Sequence, residues 1–297
     1  MTSITPDVTK PPSAMPEVAG GGAGWRRPLA YVLLIGWALL MFVPFAWTVL
    51  TSLKDRPEAM RMSLPTTPDF EAYVTAWTSI DPGLPQMFVS SLLVAGAVTA
   101  SNLLLGSMAG YAFARLNFPG RDVLFVVVLA TLMIPDQLRL VPVYLIMNAV
   151  GLVTSGPQGY LSVVLVLAIS ATSIFLLRQY FLTIPRDLEE AARIDGAGYF
   201  QTFWQVILPL ATPALAAVAI LQFQGTWNGI FWPAIFFGPF REHWTLPFGI
   251  SQYQGSFQTD WPPLMAIIVV ATIPIVVLYV FFQRYFVEGI AASGVKG

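Results

Sequence analysis

Gln222, Gln224, Trp227 and Asn228 stand close together in an otherwise apolar stretch. Amides both donate and accept hydrogen bonds, and an indole offers a flat apolar face. That mix suits a sugar ring, which presents hydroxyls at its edge and C–H groups on its face. Gln224 and Asn228 are four apart and so share one face of a helix. The same amides would equally serve to hydrogen-bond one helix to another in an apolar interior. A second polar set, Asp136, Gln137 and Arg139, carries opposite charges three residues apart. It reads as a self-neutralised pair near a membrane interface, or as an anion site for a phosphorylated solute such as a glycerol phosphate.

A third pattern is amphipathic. Pro185-Arg-Asp-Leu-Glu-Glu-Ala-Ala-Arg-Ile-Asp-Gly196 has a proline at the expected first helical position, acids in the first turn and a glycine at the stop. The spacing pairs Arg186 with Glu190 and Glu189 with Arg193 along an exposed face, and gathers Leu188, Ala191 and Ala192 into a small apolar one. A helix resting on lipid headgroups would carry lysines and bulky apolar groups. Acids and alanines suit close contact with a protein instead.

Enzyme chemistry is poorly supplied. The chain has no cysteine and one histidine, His243, and contains no GxxxxGK[ST] phosphate loop, HExxH or GxSxG. No metal site is expected, and nucleotide binding is not expected of this chain. A net charge of -1 gives no footprint for nucleic acid.

The elements that must position these groups are membrane helices. Of 297 residues 56% are hydrophobic and 10% charged, where a soluble domain carries about 25% charged residues. Six segments have the length of about 20 residues that crosses a bilayer: roughly 29–53, 87–113, 122–148, 159–180, 206–231 and 262–287. Residues 1–24, rich in Pro, Gly, Ser and Thr, read as a disordered tail ahead of a domain over 25–297. Lysines and arginines concentrate on the side of the N-terminus, including Arg26, Arg27, Arg115, Arg121, Arg178, Arg186 and Arg193. Both termini and the loop at about 181–205 are therefore expected in the cytoplasm. Gly106 and Gly110, with Gly96, mark sites of close helix approach. Pro44, Pro135, Pro142, Pro213 and Pro274 are expected to interrupt spans, and broken helices need protein or a water-filled cavity beside them. A short interfacial helix is expected at Tyr73 to Trp77.

Glu190-Ala191-Ala192, Gly196 and Val206-Ile207-Leu208-Pro209 resemble the EAA loop of ABC importer permeases: EAA, three residues, Gly, nine residues, then I-x-L-P, with Val206 in place of the usual Ile. Met133-Ile134-Pro135, Val141-Pro142, Trp227-Asn228, Trp232-Pro233, Thr245-Leu246-Pro247 and the tail from Gln283 to Gly289, ending Val295-Lys296-Gly297, are similar to the MalG-type branch of carbohydrate permeases. The resemblance implies an all-α, polytopic membrane protein of six transmembrane helices with the type I ABC importer fold, in a bacterial inner membrane. It implies that Glu190, Ala191, Ala192, Asp195, Gly196, Leu208 and Pro209 form the coupling element. It further implies as partners a second, MalF-like permease, two ATPase subunits that bind ATP and Mg²⁺, an extracytoplasmic solute-binding protein and a sugar. The readings that compete with it are the same machinery moving a glycerol-phosphate-type solute, an ion-coupled carrier, for which no repeat is visible, and a membrane-embedded hydrolase, for which no reactive cluster is visible.

Overall fold

The computed structural model describes residues 26–78, 81–254 and 260–294, and the side chains of 28–78, 81–253 and 260–283. The tail at 1–24 and Val295-Lys296-Gly297 lie outside the described residues. Within them the structure is helical and contains no strand. The chain divides at Trp47 into two units. The first is the leading part of α1 (Arg26–Ser52), whose side chains from Pro28 to Phe45 are all exposed. A helix apolar all round its surface is suited to lipid.

The second unit opens with short elements. Asp55 caps α2 (Arg56–Ala59), its Oδ1 accepting from the Glu58 amide at 2.8 Å. α3 (Glu71–Thr78) is the expected short helix; it buries Ala72 and Ala76 and exposes Val74 and Trp77. α4 (Leu84–Arg115) runs 32 residues, about 48 Å at 1.5 Å per residue. It is the spine of the unit, because its inward face is built of small groups, among them Ser90, Ala95, Gly106, Ser107 and Gly110. A Cβ on Gly106 would lie 3.1 Å from the Ser173 Cβ, and one on Gly110 would lie 3.1 Å from the Leu177 Cβ. The glycine pair therefore sets the helix separation. Gly96 has open space and plays no such part.

Three of the six expected spans are bent. α5 (Arg121–Ala130) ends in a 3-10 turn over Thr131–Met133, and α6 (Asp136–Ala149) departs at 103°. Ile134, before Pro135, takes ψ 110, as a pre-proline residue does. α7 (Tyr160–Leu167) and α8 (Ala171–Thr183) belong to a pair that meets at 52°. Ser170 caps the new helix, accepting from the Ser173 amide. α9 (Asp187–Ile194) follows on the connecting loop. α10 (Tyr199–Thr202), a π-turn at Phe203–Ile207 and α11 (Leu208–Leu210) lead into α12 (Thr212–Trp227) through a 79° bend. The wide π-turn precedes Pro209, which has no N–H to give the Gln205 carbonyl. α13 (Phe231–Phe237), α14 (Leu246–Gln254) and α15 (Trp261–Gly294) complete the chain.

Length and composition thus give three unbroken helices able to span a membrane, and up to six crossings if each bent pair is one span. Pro135 and Pro213 lie at the bends as expected. Pro44, Pro142 and Pro274 do not interrupt anything: each sits inside a continuous helix, where flanking turns carry the backbone past the missing hydrogen bond. The 52° break has no proline at all.

Candidate functional site

The EAA-like stretch forms α9, eight residues long. Pro185 lies just before the helix, not at its first position, and Arg186 takes the cap. Asp187, Glu189 and Glu190 fill the first turn, where negative charge meets unpaired backbone N–H groups. The stop is a Schellman turn: the Ala197 amide donates to the Ala192 carbonyl at 2.9 Å, and the Gly196 amide to the Arg193 carbonyl at 3.0 Å. Gly196 has φ +87, the left-handed conformation this turn demands.

Glu189 departs from the sequence expectation. It does not line an exposed face but points inward with its side chain 6% exposed, 3.0 Å from Nε of Arg115, itself 3% exposed. Arg193 reaches its other oxygen only at 3.9 Å. The expected Arg186–Glu190 pair is absent among the described residues. Arg115 also donates through Nη2 to the carbonyls of Phe181 and Ile184, at the C-terminal end of α8. One guanidinium therefore joins the ends of α4 and α8 to α9. Beneath it Tyr111, Phe181 and Phe203 pack ring against ring at 5.0–6.4 Å.

Outward, α9 presents Leu188, Glu190, Ala191 and Ile194, with Ile194 86% exposed. Ala192 is half-buried, so it belongs to the outward face only in part. Asp195 and Gly196 are exposed, Leu208 is half-buried and Pro209 exposed. Sequence reasoning missed Arg115, which stood out only as one more positive residue on the side expected in the cytoplasm, and Ile194, whose neighbours Arg193 and Asp195 masked it. The second carboxylate in Glu189-Glu190 was the available signal, since a short docking helix needs charge on one face only.

The amide and indole set is split. Gln224 and Asn228 are exposed on one side of α12. Trp227 is not beside them: it is buried, donates Nε1 to the Ala271 carbonyl at 3.0 Å, and stacks on Phe223. It is one residue from Asn228, about 100° away around the helix, on the face packed against α15 and α4. Gln222 faces elsewhere again, giving its amide N–H groups to Ser170 Oγ at 3.1 Å and Ser173 Oγ at 2.9 Å. It lines a cavity of about 360 Å³ with Asp136, Arg139, Thr226 and Trp232. Asp136 and Arg139 do pair, Nε to Oδ1 at 2.9 Å, but at the start of α6 beyond the 103° turn and not part-way up a straight span.

A family model described as "Binding-protein-dependent transport system inner membrane component" matches residues 102–291. Among curated relatives, the diacetylchitobiose uptake system permease protein NgcG of Streptomyces coelicolor is 36% identical over 86% of this chain and 84% of its own. The arabinooligosaccharides transport system permease protein AraQ of Halalkalibacterium halodurans is 34% identical over 91% and 97%. The trehalose/maltose transport system permease protein MalG of Thermococcus litoralis is 33% identical over 91% and 98%. A chain from the crystal structure of a bacterial ABC transporter involved in the import of the acidic polysaccharide alginate superposes with TM-score 0.77 at 25% identity, covering 89% of this chain and 97% of that one. With its family model matched over 102–291 and its relatives matched along most of their length, this chain belongs to the binding-protein-dependent transport system inner membrane components, the permease subunits of ABC importers.

Proposed function

We propose that this chain, with a second MalF-like permease, forms the inner-membrane pathway for a carbohydrate delivered by an extracytoplasmic binding protein, and that α9 couples the pathway to two ATPase subunits. The observation that carries the reading is the two-sidedness of α9. Glu190, Ala191 and Ile194 are open for a partner, while Glu189 is locked to Arg115. A lever must be short and rigidly tied to what it moves, and here one buried arginine ties it to α4 and α8. Glu190 supplies a carboxylate for a basic group in the ATPase groove. Ala191, Ala192, Asp195 and Gly196 permit close approach, and Leu208 and Pro209 turn the chain back toward the membrane. ATP and Mg²⁺ belong to the ATPases, and no catalytic role falls to this chain.

The positive-side bias supports cytoplasmic termini and a cytoplasmic α9. The sugars in the relatives' names support carbohydrate as the solute class. Gln224 and Asn228, exposed in the single chain, are the positions at which the second permease or the solute meets α12. The test is uptake of radiolabelled diacetylchitobiose, maltose and arabinobiose by cells with and without the gene, and by cells carrying Glu190→Lys. Loss of one uptake in both altered strains supports the proposal. Unchanged uptake in the Glu190→Lys strain, at matched membrane expression, overturns the coupling role.

A further inference from the structure

Three helix interruptions converge on one place. The cavity beside Gln222 is walled by Thr131 and Asp136 at the 103° break, by Ser170 at the 52° break, and by Gly229 and Ile230 between α12 and α13. Unpaired backbone at membrane depth is tolerated only where it meets protein or lines an aqueous cavity. An ion pair in an apolar segment carries the same requirement. Three breaks and two charges around about 360 Å³ make a site within the size range of small-molecule pockets, ~300–1,000 Å³.

Its chemistry is specific. Asp136 and Arg139 pair with each other, yet their side chains stay 40% and 44% exposed, so each keeps hydrogen-bonding capacity toward the cavity. Gln222 is held by a relay: Asn102 accepts from Ser173 Oγ at 3.0 Å, and Ser173 and Ser170 accept the Gln222 amide. With its nitrogen engaged, Gln222 Oε1 takes no partner among the described residues and is left as an oriented acceptor. Trp232, 3% exposed, lies under the Arg139 guanidinium at 5.7 Å and forms part of the apolar wall.

We propose that this cavity is a subsite for one neutral sugar ring, gripped by Asp136, Arg139 and Gln222. The inference rests on the importer reading above and names the substrate class its site accepts. Neutrality follows from charge: Asp136 already neutralises Arg139, so the pair offers a phosphate or uronate no net positive charge. A hydroxylated ring instead uses both, donating to Asp136 and Gln222 and accepting from Arg139. The site is separate from Gln224 and Asn228, which face another side of α12.

The experiment uses the complete transporter, with its ATPases and binding protein, in proteoliposomes. The neutral probes are diacetylchitobiose, maltose and arabinobiose; the anionic probes are a dimannuronate and glycerol 3-phosphate. Gln222→Leu is expected to cut uptake of the transported neutral probe about fivefold to tenfold at fixed liganded binding protein, the worth of one hydrogen bond. Asp136→Asn leaves Arg139 unpaired and is expected to shift the ratio of dimannuronate to neutral uptake upward by about tenfold or more. Because the chain has no cysteine, Thr226→Cys in the cavity wall gives a second reading that does not need the other variants to fold. Labelling of the introduced thiol by N-ethylmaleimide, without ATP, is expected to slow at least about fivefold under the neutral probe. A thiol left unprotected in Thr226→Cys, together with unchanged uptake in Gln222→Leu, overturns the subsite while leaving the importer intact. Protection by the anionic probes alone overturns the neutral class. If the wild-type transporter moves none of the carbohydrates, the carbohydrate reading fails and the subsite fails with it.

Discussion

Removing the Arg115 side chain tests the brace on which the coupling argument stands. In Arg115→Ala, Glu189 keeps its burial but loses its 3.0 Å partner, leaving only Arg193 at 3.9 Å. The carbonyls of Phe181 and Ile184 lose their donor at the same time. Deleting one member of a buried pair costs about 3–5 kcal/mol, because the remaining charge stays away from water. Glu189→Gln is milder: the guanidinium keeps both carbonyls, and only the charge attraction of the 3.0 Å ion pair is lost. Replacing both together, as Arg115→Met with Glu189→Leu, removes the stranded charge and should recover part of the docking stability, although the two carbonyls still lack their donor. The readout is hydrogen exchange at the amides of residues 188–197. If α9 opens locally, exchange there accelerates roughly 10²- to 10³-fold in Arg115→Ala, and less in both Glu189→Gln and the double variant. Uptake per ATP hydrolysed should fall in the same order. Exchange within threefold of wild type in Arg115→Ala, or a larger effect in Glu189→Gln, refutes the brace.

Further outcomes follow from the same geometry. Gly196→Ala meets no neighbour, so its cost is the backbone penalty at φ +87 alone, about 1–2 kcal/mol, read as a lower melting temperature; Gly196→Asn should lose less. Burial pushes the buried His243 imidazole below its ordinary range, with neighbouring Glu242 opposing in part. The unfolded chain then takes up the proton first as pH falls. The stabilisation is complete above the ordinary histidine value of about 6.5 and is lost as pH drops through the lower folded value, so melting temperature should fall between pH 7 and 5 with a shallower slope in His243→Phe. A cysteine at Gln201 should resist an impermeant maleimide in intact cells while one at Met62 reacts; equal labelling reverses the orientation. The purified chain should bind no ATP by equilibrium dialysis until an ATPase partner is added, and stoichiometric binding alone contradicts that.

Much of the helical plan was legible because its causes are local. Long apolar runs specify α1, α4 and α15, a glycine at helical spacing specifies where α8 approaches α4, and acid-first, glycine-last chemistry specifies α9. Bends were legible only where proline stood at a junction, as at Pro135. The break at Ser170 depends on a serine cap inside a run that reads as continuous, and Pro44, Pro142 and Pro274 show that proline alone does not break a helix whose neighbours hold it. The site was legible as residue types but not as groupings. Whether Glu189 looks outward or toward Arg115 depends on a partner 74 positions away, and whether Trp227 joins Asn228 depends on α15 claiming the indole first. Long-range packing decides such choices, and neither spacing nor composition encodes it. Asp136, Arg139 and Gln222 could be named singly from the sequence, but only three converging breaks bring them to one cavity.

The central claim is that this chain couples ATP hydrolysis to carbohydrate passage through α9. The most direct measurement is ATP-driven uptake of the transported sugar, together with phosphate release, in proteoliposomes holding the two permeases, the ATPases and the binding protein, with this chain wild type or carrying Glu190→Lys. The account predicts sugar accumulation in step with hydrolysis for wild type, and loss of accumulation for Glu190→Lys although the permease still reaches the membrane. Equal uptake by the two, or full uptake from vesicles that lack this chain, would contradict it.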